Sequence, residues 1–145
     1  MSSRDSDSVT ITIPKGRMVG FSQSIPLGFK NYFAFGGRSS RGAYWYWTLF
    51  VFIAAIIAAI LDVLLFPEMT QSAAALSPIS TVFSLATFIP GLTVSIRRLH
   101  DIGRSGWWFL IAFTIIGVIL LIYWSCKPGQ RVANRFGADI EAGRE

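Results

Sequence analysis

Three apolar runs, at about 44–66, 75–97 and 107–125, are each close to the length that crosses a lipid bilayer, and nothing else in the chain constrains its fold as much. A hydrocarbon core of about 30 Å takes about 20 apolar residues at helical rise. The first run carries one charge, Asp62; the second holds Ser, Thr and two prolines but no ionisable side chain before Arg97. The third is uncharged, at the short end of the range, and bracketed by Trp107, Trp108, Tyr123 and Trp124, the residue types that anchor helices at water interfaces. With 52% hydrophobic and only 14% charged residues, 145 residues have too little polar surface for a soluble globule. The sequence predicts an all-α membrane protein: three transmembrane helices in one small domain, preceded by an amphipathic interfacial helix.

The formal charge of +5 would suggest nucleic acid in a soluble protein. Here the basic residues flank the spans, so topology and anionic lipid account for them and no nucleic-acid partner is expected. Lys30, Arg38 and Arg41 precede the first span, whereas the connection after it, PEMTQS, has neither Lys nor Arg. The N-terminus is therefore expected in the cytoplasm. The second connection, RRLHDIGRSG, brings Arg97, Arg98 and Arg104 to the same side. Three antiparallel spans then put the C-terminal tail outside, with Lys127, Arg131, Arg135 and Arg144 diluted by Asp139, Glu141 and Glu145. A re-entrant third run would put the tail inside. No cleavable signal pattern opens the chain, so the first span is expected to act as an uncleaved signal anchor.

Residues 1–17 are polar and expected to be disordered. Met18 begins a different kind of sequence, which makes it the expected natural start of a membrane domain running to 140, with 141–145 as a tail. Phe21, Ile25, Phe29, Tyr32 and Phe33 recur at helical spacing with Lys30 opposite them, the pattern of an amphipathic helix lying in the membrane interface, against which Pro26 and Gly28 count.

The strings NYFAFGGRSSRGAYWYWTLF, RRLHDIGRSGWWFL and NRFGAD together resemble the DUF805 family of small bacterial inner-membrane proteins, over about Phe21 to Ile140. The resemblance implies a three- or four-helix bundle in the bacterial inner membrane and supplies no reaction. Family members commonly carry a Glu three residues after the serine that caps the first span; here Ser40 keeps the cap position and Ala43 stands in the Glu position. Of the family's Gly- and Pro-rich turn, Pro128 and Gly129 remain, followed by Asn134, Arg135, Phe136, Gly137 and Asp139.

Ser77 and Pro78 form a cap and first-turn proline for the second span. Ser80, Ser84, Thr87 and Gly91 fall on one face of it, and Ala54, Ala55, Ala58 and Ala59 stripe the first span. Small residues at that spacing let two helices approach closely, so helix packing, ahead of a polar permeation path, is the expected role of both stripes. Pro90 removes a backbone hydrogen bond in mid-span, and a kink is expected there. Asp62, the intramembrane ionisable residue, has two readings: solvation at the helix end by water or a headgroup, or handling of a proton or cation.

The candidate working site is the RRLHDIGRSGWW connection. Arg38, Arg41, Arg97, Arg98 and Arg104 are expected on one face, either gripping a phosphate-bearing headgroup in one pocket or enforcing topology. His100, Asp101, Asn134 and Arg135 are the polar members of the shared motifs. Asp101 is expected to pair with an arginine or accept from His100, and Gly103 and Gly106 to permit the turn. Cys126 reads as a packing residue. With no nucleophile, paired carboxylates or ligand cluster, no catalytic residue, cofactor or metal is assigned, and the leading expectation is a non-enzymatic membrane protein touching lipid. The alternatives are a small oligomeric transporter or channel, and a membrane enzyme acting on a lipid phosphate. Expected partners are membrane lipids and a second copy or another membrane protein.

Overall fold

The structure, a computed structural model, describes residues 19–140. The expected extension 1–17, the start at Met18 and the tail 141–145 lie outside the described residues. The described residues are helical, with no strand: α1 (Phe21–Lys30), α2 (Arg41–Leu65), a short α3 (Pro67–Gln71), α4 (Pro78–Asp101), a 3-10 segment (Gly106–Phe113) and α5 (Ile115–Cys126).

At 1.5 Å per residue, the 25 residues of α2 and the 24 of α4 extend about 37 and 36 Å, enough to cross a membrane. Their outward faces are apolar, including Phe52, Ile57, Ile60 and Leu64 on α2 and Val82, Leu85 and Phe88 on α4. That much contiguous exposed hydrocarbon is stable only where the surrounding solvent is hydrocarbon as well, so the chain is an integral membrane protein. Ser40 caps α2 as expected, its hydroxyl accepting from the Ala43 N–H at 3.1 Å. Without the Glu that would complete a capping box, Ala43 is instead a buried packing residue.

The two long helices are antiparallel neighbours and make more contact with each other than any other pair of elements among the described residues. Ala58 and Thr87 are buried there, and a groove of about 550 Å³ between the helices is lined by Thr48, Ala55, Ser84, Thr87 and Gly91, with Phe109 of the 3-10 segment. Two hydroxyls of α4 turn back on their own helix in this way: Thr87 donates to Phe83 O and Ser95 to Gly91 O, both at 2.8 Å. Such bonds let hydroxyl side chains sit in a span without water.

Helix α4 continues through Pro90. Proline donates no N–H, which orphans the carbonyl four residues earlier, Ala86 O. The Tyr32 hydroxyl reaches across from the segment after α1 and donates to that oxygen at 2.9 Å. The Tyr32 carbonyl in turn accepts from the Thr93 hydroxyl at 2.9 Å. Tyr32→Phe should therefore lower stability by about 1–2 kcal/mol, read by denaturant unfolding in detergent, although it removes a single oxygen.

The amphipathic helix is present as α1, which ends at Lys30, short of Phe33. Its buried face is the small one, Ser24 and Gly28, and not the aromatic stripe. The indole of Trp47 lies directly on Gly28, where a β-carbon would collide with the ring, so Gly28 is what allows α1 to sit against α2. Phe29 packs edge-on to Trp47 at 5.1 Å and to Phe50 at 6.1 Å from the flank of this contact.

The third apolar run has the expected composition and a different shape. It is divided at Thr114, whose backbone is extended (φ −116°, ψ 147°), into the 3-10 segment and α5. The Thr114 hydroxyl donates to Ile111 O at 2.8 Å and accepts from Gly117 N at 3.0 Å, and a β-carbon on Gly117 would collide with Ile111 O. The 3-10 segment and α5 pack against each other, so Trp108 and Trp124, near opposite ends of the run, meet edge-on at 5.7 Å.

Candidate functional site

The expected basic segments do meet, at the end of the bundle where α4 finishes and α2 begins, and the C-terminal segment joins them; Arg97, Arg98, His100 and Asp101, expected in a connection, belong to the last turns of α4, and only Arg104 lies in the connection after it. Arg97 zips α4 to the loop before α2, donating from Nη1 to Gly36 O at 2.7 Å and to Ala34 O at 3.2 Å, and from Nη2 to Arg38 O at 3.1 Å. Ser39 N returns a bond to Arg97 O at 3.0 Å. Gly37 makes the close passage possible: its φ of +83° is disfavoured for other residues, and the Arg97 guanidinium lies against it.

This zipper turns Arg38 inward. Its Nε donates to Asp101 Oδ1 at 2.9 Å and its Nη2 lies 2.8 Å from the same oxygen. Nη1 donates to Val132 O at 2.8 Å, and Nη2 also to Gln130 O. Arg98 approaches the same carboxylate from the other side, pairing through Nη1 with Asp101 Oδ2. Its Nε donates to Ser125 O at 3.3 Å and its Nη2 to Lys127 O. Both arginines are 1% exposed and Asp101 is buried. One carboxylate is thus shared by two guanidiniums, each of which also holds the chain that leaves α5. The carbonyls at the end of α5, without partners inside their own helix, are taken by cationic and indole donors. Arg98 and the Trp45 indole, at 3.2 Å, share Ser125 O, and Arg41 donates to Cys126 O at 3.4 Å.

The C-terminal motif completes this clasp. Gly129 passes over Asp101 so closely that a β-carbon would collide with the carboxylate, and Gln130 N donates to Asp101 O at 2.9 Å. Asn134 donates to His100 O at 2.9 Å and to Gln130 Oε1 at 2.8 Å, while its own side-chain oxygen accepts from Phe136 N at 2.9 Å. Phe136 stacks flat on the His100 ring, with centroids 3.9 Å apart and planes 4° from parallel.

The motif residues His100, Asp101, Asn134 and Arg135 therefore converge, though His100 and Asp101 do not form a pair. The His100 Nδ1 lies 2.9 Å from Gly37 O, which makes it the protonated nitrogen, and both Asp101 oxygens face arginine. Arg135 lies over the Phe136 ring at 4.6 Å. Arg104 stands apart from the clasp, over the Trp124 ring at 4.0 Å and the Trp108 ring at 5.5 Å. Of the five arginines expected to grip a headgroup, Arg38 and Arg98 have every guanidinium nitrogen engaged inside the protein, Arg97 is half-buried in the zipper, and Arg41 is exposed.

Asp62 is at the opposite end of the bundle and is 1% exposed. It is not solvated by water or a headgroup, as the helix-end reading supposed. Its Oδ1 accepts from Ile79 N and its Oδ2 from Ser80 N, both at 2.8 Å, so it caps the N-terminus of α4 from the neighbouring helix. Ser77, expected to supply that cap, makes no side-chain bond to the helix. Pro78 does occupy the first turn. Sequence spacing contained no pointer to this cap beyond the rarity of an acid in an apolar run, because donors and acceptor are 17 and 18 residues apart.

The sequence pattern of the family described as "Protein of unknown function (DUF805)" matches residues 32–138, which takes in every residue of the clasp. The chain is 41% identical over 115 residues to inner membrane protein YhaI of Escherichia coli (strain K12), covering 79% of this chain and 92% of that protein. It is 38% identical over 113 residues to inner membrane protein YhaH of the same organism, covering 76% and 89%. No solved structure matches. The shared span runs from Tyr32 under Pro90 to the C-terminal motif over His100, leaving only α1 outside it among the helices, and on that match the chain belongs to the DUF805 family.

Proposed function

We propose that this is a non-enzymatic integral protein of the bacterial inner membrane, with its N-terminus and basic end in the cytoplasm, where it presents a lipid-contacting face. The observation that carries this reading is the division of labour among the cations. Arg38, Arg97 and Arg98 are committed to the clasp, while Arg41, which gives it one bond to Cys126 O, and Lys127, Arg131 and Arg135 are exposed around it at the same end. Near an anionic leaflet each such side chain gains about 1 kcal/mol. The absence of Lys and Arg from 66–77, at the far end, supports the orientation. The clasp is then a positioning device, and the inner-membrane names of YhaI and YhaH agree with the location. Asp62, held by two backbone N–H groups, offers no free carboxylate to a transported proton or cation, and no observation favours that reading.

Native mass spectrometry tests this after extraction in mild detergent with equal phosphatidylglycerol and phosphatidylethanolamine. The wild type should retain phosphatidylglycerol preferentially, and the triple variant Arg41→Ala, Arg131→Ala, Arg135→Ala should lose that preference, at about 1 kcal/mol per side chain removed. Equal retention of the two lipids by the wild type, or an unchanged preference in the triple variant, would overturn the reading. The same spectra report copy number and so address a second copy as partner.

A further inference from the structure

We infer that the third apolar run does not cross the membrane: residues 106–126 form a re-entrant hairpin whose tip lies among the acyl chains of the leaflet on the clasp side, and the chain spans the bilayer twice. The first ground is where the run begins and ends. It begins just after Asp101 and ends at Cys126, and the carbonyls of Ser125, Lys127, Gln130 and Val132 are held by Arg98 and Arg38. A crossing run would separate that tail from Arg38 by the bilayer's whole thickness of about 30 Å.

Length is the second ground. Eight residues at 3-10 rise extend about 16 Å and twelve at α-helical rise about 18 Å. Either arm reaches about half of the hydrocarbon core and no further. The third is the character of the tip. Phe113, Ile115 and Ile116 are 90%, 83% and 80% exposed, more than any other large hydrophobic side chain among the described residues. The connection at the far end, between α2 and α4, exposes Met69 and Leu76 as well but carries Glu68, Thr70, Gln71 and Ser72 among them, polar side chains that the hairpin tip lacks apart from Thr114. An exposed Phe-Thr-Ile-Ile turn suits hydrocarbon, and its one polar side chain is satisfied locally. Thr114 donates N–H and hydroxyl to Ile111 O and accepts from Gly117 N, as backbone at membrane depth requires. At the mouth of the hairpin, Arg104 over Trp124 and Trp108 is the cation and indole arrangement of an interface.

This topology gathers Arg38, Arg41, Arg97, Arg98, Arg104, Lys127, Arg131 and Arg135 on one side and removes the conflict between the charge rule and the basic tail. The hairpin is an interaction surface for the hydrocarbon of a single leaflet, and it holds whether or not the exposed cations select anionic headgroups.

The experiment uses the native thiol Cys126, which is exposed at the end of α5. An impermeant maleimide is applied to spheroplasts and to inverted vesicles of the wild type and of Ala133→Cys and Ala74→Cys, each in Cys126→Ser. Cys126 and Ala133→Cys should react from the same side, and Ala74→Cys, between α3 and α4, only from the other. Phe113→Cys in Cys126→Ser should react from neither side. Tagged with a fluorophore in detergent and reconstituted, it should be quenched by brominated acyl chains. Reaction of Ala133→Cys from the side that labels Ala74→Cys, or of Phe113→Cys from that side, would overturn the hairpin. An unreactive Cys126 leaves the decision to Ala133→Cys, which is exposed on the tail.

Discussion

Asp101→Ala should unfold at markedly lower denaturant than the wild type, at a loss of about 3–5 kcal/mol, because it leaves the guanidiniums of Arg38 and Arg98 buried with no counter-charge between them. The loss has a local signature. Gln130 O, Val132 O, Ser125 O and Lys127 O depend on those two arginines, so the segment after α5 should detach before the spans separate. Limited trypsin treatment in detergent should cut after Arg131 and Arg135 faster in the variant, with 41–101 still protected. The double variant Arg98→Met, Asp101→Ala should lose less than the sum of its single changes, since removing one cation relieves part of the uncompensated charge. Strict additivity in that cycle, or unchanged tryptic rates in Asp101→Ala, would show that the ion pairs do not hold the tail.

Asp62→Ala has the second-largest expected effect, a loss of about 2–4 kcal/mol from stranding the N–H groups of Ile79 and Ser80 at the start of a membrane helix. Asp62→Asn retains one acceptor oxygen and should lose less than half of that. Amide hydrogen exchange should identify the cause, with protection lost at Ile79 and Ser80 in Asp62→Ala and retained elsewhere in α4. Ser77 cannot take over without moving its backbone, because its φ of −123° and ψ of 83° leave its hydroxyl away from the first turn. Wild-type stability in Asp62→Ala would count against the cap and reopen a transport role for this carboxylate.

Local chemistry made much of this molecule readable from its residues. The length of α2 follows from its apolar composition, the start of α2 from Ser40 and the first turn of α4 from Pro78; of the two small-residue stripes, Ala58 and Thr87 are buried between the helices, whereas Ala55, Ser84 and Gly91 line the groove. The two basic segments were legible as neighbours because like charge sorts to one side of a membrane, though the helical continuation of α4 through Asp101 was not. Each of these is decided within a few turns of helix or by the solvent that surrounds it.

Tertiary structure alone decided which arginines are available and which are structural. Arg38 and Arg41 read alike in sequence, yet the first is buried against Asp101, 63 residues away, and the second is exposed. The same holds for Asp62 at the head of α4, Tyr32 under Pro90, and the fold-back at Thr114, where composition for a span was present and continuity was not. The reason is common to all of them. A polar group removed from water must find a partner, composition states only that the need exists, and the partner is supplied by whichever distant segment the packed helices bring within 3 Å.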